Sequence, residues 1–108
     1  MRLILKDGSL SVLLSGEIDH HSATQMREEI DATLEKTRPH RLILDFSQVQ
    51  FMDSSGIGLI MGRCKLMQAF GGTVTVANMP PKIEKVVSLS GLDKIVIVER
   101  NVDSHEAS

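Results

Sequence analysis

A chain of 108 residues, 42% hydrophobic and 24% charged, has room for one core and one domain, and its net charge of −2 carries no cationic bias toward nucleic acid. Its three aromatic residues are all Phe, which leaves no base-stacking platform, and its one cysteine, Cys64, excludes an internal disulfide and fits a reducing cytoplasm. No run approaches the roughly 18 apolar residues of a spanning helix, and Met1-Arg2-Leu3-Ile4-Leu5-Lys6-Asp7 meets charge too early for a signal peptide.

Two apolar-rich stretches, 3–6 and 10–15, flank Asp7-Gly8, a dipeptide suited to a tight hairpin turn. Residues 16–21 read as a loop. A helix is predicted over 22–36, with Ser22 and Gln25 as its capping box. Ala23, Met26, Ile30 and Leu34 share one stripe, while Arg27, Glu28, Asp31 and Glu35 face away. Pro39 ends that helical region. Residues 41–46 read as a buried strand by their Leu-Ile-Leu run, followed by a loop reaching Asp53. The next helix is predicted over 54–70 and stopped by Gly71-Gly72.

Thr73-Val74-Thr75-Val76-Ala77 is β-branched and short, a strand. Pro80-Pro81 starts another helix, with Ile83, Val86, Val87 and Leu89 on its apolar side and Gly91 at its end. Residues 94–98 read as the last strand, and 101–108 as a short polar tail, frayed or a single weak turn. The order β-β-α-β-α-β-α-β predicts a single α/β domain over 1–100 with a largely parallel sheet.

The junction Asp53-Ser54-Ser55-Gly56 sets a serine hydroxyl at a helix N-terminus, where backbone N–H groups are free and the dipole end is positive. Asp and Ser there also suit plain capping. Gly56 and Gly58 in the first turns cost helix stability, about 1 kcal/mol each against alanine, and lower the profile around the serine for an approaching protein or phosphate. A nucleophile elbow needs glycine two residues before the serine, where Met52 stands. Asp19, His20 and His21 are adjacent in sequence and point different ways, so a polar loop is favoured over a metal site. The glycines of 56–62 lack the lysine of a phosphate-binding loop. A phosphoacceptor serine fits best: phosphorylation adds about −1.5 to −2 charge where a helix N-terminus tolerates it and a covering partner does not. Two apolar stripes on the same helix, with Leu59 and Arg63 close to Ser54, suggest a partner contact there.

Gly16-Glu17-Ile18-Asp19-His20-His21-Ser22-Ala23, Phe51-Met52-Asp53-Ser54-Ser55-Gly56-Ile57-Gly58 and Ser90-Gly91-Leu92-Asp93-Lys94-Ile95 together resemble the STAS-domain anti-sigma factor antagonists, over about residues 3–99. The resemblance implies a singly wound (βα)n STAS domain: a mixed, mostly parallel sheet with an N-terminal β-hairpin, strands in sequential order and helices mainly on one side. It implies no catalysis, cofactor or metal. It implies binding to an anti-sigma factor that is also a serine kinase with bound ADP or ATP, phosphorylation of Ser54 by that kinase, and reversal by a serine phosphatase. Asp19 matches an acidic position beside the phosphoacceptor, and Asp53, Ser55 and Gly56 belong to the same surface. The expected protein is a cytoplasmic module, monomeric when free, without direct nucleic-acid or membrane contact. A STAS module of a larger complex such as a stressosome would share the fold, and gel filtration separates the two.

Overall fold

The first two strands, β1 (Arg2–Lys6) and β2 (Ser9–Ile18), form an antiparallel hairpin in which Lys6 pairs with Ser9 across Asp7-Gly8. Both turn residues have positive φ, 53° and 79°, as the primed two-residue turn demands. A Cβ on Gly8 would also collide with the His40 imidazole, so this turn is specified by backbone conformation and by space. The computed structural model describes residues 1–100; the predicted tail, 101–108, lies outside the described residues.

Helix α1 (His20–Thr37) follows β2, then β3 (Arg41–Met52), α2 (Ser54–Ala69), β4 (Thr73–Ala77), α3 (Pro81–Ser90), a 3-10 turn (Leu92–Lys94) and β5 (Ile97–Glu99). The sheet order is β1-β2-β3-β4-β5, antiparallel for the first pair and parallel for the rest. Each helix connects two adjacent parallel strands. Right-handed crossovers that always advance the same way place α1, α2 and α3 on one face, as expected.

The core lies between that face and the helices. Leu10, Val12, Leu14, Leu42, Leu44, Phe46, Val74 and Val76 meet Ile30, Leu34, Ile60, Met67, Ile83 and Val87, all buried. Burying one such side chain contributes about 1.5–3 kcal/mol. The residues between them in the strands alternate to the other face, where Ser11, Ile43 and Thr75 share one register row.

Several boundaries differ from the sequence reading. Strands β2 and β3 run on through the stretches read as loops, pairing as far as Ile18 with Met52. Register shifts near Leu13/Ser15 and Gly16/Glu17 put extra residues into β3, which breaks the two-residue periodicity that would have revealed the strand. Helix α1 begins two residues before Ser22, and its capping box joins Asp19 to Ser22 rather than Ser22 to Gln25. Residues 94–98 are not one strand: Ile95 and Val96 donate back to the Leu92 carbonyl and close the 3-10 turn, leaving three residues for β5. Leu89 is 80% exposed, off the apolar side of α3 that Ile83 and Val87 bury.

Candidate functional site

The register pair Ile18–Met52 brings two helix starts side by side. The Asp53 N–H donates to the Ile18 carbonyl at 3.1 Å, tying the end of β3 to β2. One residue past each strand, an aspartate in extended conformation caps a helix. Asp19 Oδ1 accepts from the Ser22 N–H at 2.9 Å, and Ser22 Oγ accepts from the Asp19 N–H at 2.9 Å. Asp53 Oδ1 accepts from the Ser55 N–H at 2.8 Å. Such a cap contributes about 1 kcal/mol. The Ser22 backbone donor holds the Asp19 carboxyl below its usual range.

Capping therefore falls to Asp53, and Ser54 is left as the first residue of α2. Ser54 is exposed, and its hydroxyl has no hydrogen-bond partner among the described residues. Ser55 and Asp53 are half-buried beside it. The arrangement offers a hydroxyl at a positive helix end, hydrogen-bonded to no base among the described residues.

The two first-turn glycines act differently. Gly56 is buried, and a Cβ there would run into Met52 Cγ and Sδ. It lets the helix pack closely on the end of β3, a packing role that the sequence reading did not assign to it. Gly58 is exposed with open space around it, and it keeps the profile low.

Leu59 and Arg63, expected as partner contacts, are largely covered within the protein itself. They are 4% and 5% exposed and lie in the packing between α1 and α2. Arg63 faces Asp31 across that packing: Nε lies 2.8 Å from Oδ1, and Nη2 donates to Oδ2 at 3.2 Å. Asp31 thus turns toward α2, not away. Burial pushes the Arg63 guanidinium down despite Asp31, and burial pushes the Asp31 carboxyl up against the pull of Arg63. Arg63 Nη1 is sealed from solvent without an acceptor, a loss of about 1–3 kcal/mol. Residues 56, 59, 60, 63 and 67 form one helical stripe, which spacing alone did not single out because α2 carries apolar residues on its other sides too. The partner of Arg63, 32 positions earlier in sequence, carried no local signal.

His20 and His21 are exposed, and among the described residues no three His, Cys, Asp or Glu side chains group as metal ligands. No described helix is long and apolar enough to cross a membrane.

The STAS domain family model matches residues 3–105. An anti-sigma F factor antagonist of Paenibacillus polymyxa is 38% identical over 94 residues, covering 87% of this chain and 80% of the relative. The structure of the anti-sigma factor antagonist SpoIIAA in its unphosphorylated form superposes with a TM-score of 0.84 at 29% identity, over 97% of this chain and 90% of that one. The structure of the Bacillus cell fate determinant SpoIIAA in its phosphorylated form gives 0.77 at 29% identity, over 97% and 94%. With these matches and the exposed serine at the start of α2, the chain belongs to the STAS-domain family, among the anti-sigma factor antagonists.

Proposed function

We propose that this chain is a phosphoswitch in partner switching. Unphosphorylated, it binds an anti-sigma factor that is a serine kinase carrying ADP or ATP, and so frees a sigma factor of sporulation transcription. Asp53, Ser54 and Ser55 form the centre of the contact, with Asp19 alongside. The kinase phosphorylates Ser54, the complex dissociates, and a serine phosphatase resets the chain. The free protein is a cytoplasmic monomer and touches neither nucleic acid nor membrane.

The observation that carries this reading is the division of labour at the start of α2. Asp53 does the capping, which leaves the Ser54 hydroxyl exposed and unengaged at the positive end. A phosphate there is compatible with the helix and incompatible with a desolvated partner surface. The relative SpoIIAA, which is similar over nearly the whole chain, exists in a phosphorylated form. Incubation with the cognate kinase and ATP, followed by peptide mass spectrometry, is expected to find one phosphate on Ser54 and none on the Ser54→Ala variant. Phosphate on another residue overturns the assignment.

A further inference from the structure

Between α1 and α2, next to the serine, lies a cleft of about 270 Å³ lined by His20, Thr24, Arg27, Ser55, Gly58 and Arg63. The lining holds two guanidiniums and no carboxylate. Arg63 forms the buried base, and its Nη1 lacks an acceptor. The carboxylate that faces it, Asp31, lies outside the lining, and Glu35 acts on Asp31 from the next turn of α1. Arg27 is exposed, and its charge is felt by both Asp31 and Arg63. The two helix N-termini flank the upper end, with His20 opening α1 and Ser55 the second residue of α2. Gly58 leaves the wall open.

We propose that this cleft receives an acidic side chain, an aspartate or glutamate, of the same partner that covers Ser54. The inference rests on the reading that a partner covers Ser54. Ser55 belongs to both surfaces, because it adjoins Ser54 and lines the cleft. A protein seated over Ser54 therefore closes the cleft mouth and buries whatever enters it. Arg27, exposed at the cleft with no carboxylate in the lining, is met by a carboxylate of the partner. Phosphorylated Ser54 sets about −1.5 to −2 charge one residue from that wall, where it repels the incoming carboxylate and draws on the same cations. Both contacts are lost in one covalent step.

The test is calorimetry with the purified cognate kinase loaded with ADP, at two salt concentrations, on wild type, Arg27→Lys, Arg27→Gln, Arg27→Glu and Ser54→Asp. Arg27 is on the surface, so its variants are expected to fold normally by circular dichroism. Arg27→Gln is expected to weaken binding about tenfold and Arg27→Glu about fiftyfold or more, with Arg27→Lys near wild type and a reduced salt dependence in the Gln variant. Arg27→Glu within twofold of wild type, with Ser54→Asp weakened, overturns the cleft assignment and leaves the switch standing. If neither variant weakens binding, the switch reading fails with it. Saturable shifts of the cleft resonances with inorganic phosphate alone, together with kinase affinity indifferent to Arg27, would assign the cleft to a small anion and overturn the proposal.

Discussion

Asp19 and Asp53 stand in equivalent places, each one residue beyond the Ile18–Met52 register pair and each turned back on the helix it starts. Two adjacent acidic groups near a serine would otherwise suggest acid–base chemistry. Here both carboxylates are engaged by backbone N–H groups of their own helices, at 2.9 and 2.8 Å. They hold the surface in shape and give it its charge.

Asp53→Ala is expected to cost about 1 kcal/mol and Asp53→Asn much less, because asparagine caps nearly as well. Urea unfolding monitored by circular dichroism measures both. Equal losses would show that the Asp53 charge, not its cap, matters to stability.

The Ser22 backbone N–H holds the Asp19 carboxyl below the ordinary aspartate range, so its contribution has a defined direction in pH. A depressed folded-state value means stability that is complete above about pH 4 and drains away as pH falls through the folded value. Urea midpoints measured from pH 7 down to pH 2 are expected to fall less steeply for Asp19→Asn than for wild type in the acid limb.

Gly56→Ala and Gly58→Ala are expected to have opposite signs. The first drives a methyl into Met52 and is expected to destabilise by about 1–3 kcal/mol. The second adds a methyl in open space within a helix and is expected to stabilise by up to about 1 kcal/mol. Thermal melts of the two variants decide it.

Replacing Arg63 alone by Met is expected to destabilise the fold strongly, by about 3 kcal/mol, since Asp31 then keeps a half-buried, unpaired charge. The double variant Asp31→Leu/Arg63→Met is expected to recover most of that loss. A denaturant double-mutant cycle gives the coupling, and additive losses would mean the pair does not act as a pair.

Ser54→Ala is expected to fold normally and bind the kinase without being switched off. Ser54→Asp is expected to lose about 3 kcal/mol of binding, more than a hundredfold in Kd. Calorimetry on the two variants reads the difference, and unchanged affinity for Ser54→Asp would contradict the electrostatic release.

The features legible in the sequence were those set by near neighbours. Asp7-Gly8 fixes its turn by its own dihedral angles, Thr73–Ala77 is β-branched in its first four residues, and Pro81 and Gly91 bound α3 by rules acting within a turn. The Ser54 position was legible for the same reason, since a capping aspartate and the helix after it lie within a few residues. What was missed depends on partners far along the chain. The extension of β3 past Phe46 exists because β2 lies beside it, and Gln50, an extra residue opposite Gly16 and Glu17, spoils the alternation that would have marked it. Helix α2 is apolar on nearly every side, so spacing could not separate the face carrying Leu59 and Arg63 from the one carrying Met61, which is 39% exposed. Until the fold brings Asp31 across, an arginine on a helix reads as solvated.

Because β3 stays within the sheet up to Met52, and Met52 is locked against Gly56, the serine is mounted on a stiff beam rather than a tether. On the proposed switch, a phosphate on Ser54 would reach whatever docks there as an altered field and hydration at the rim.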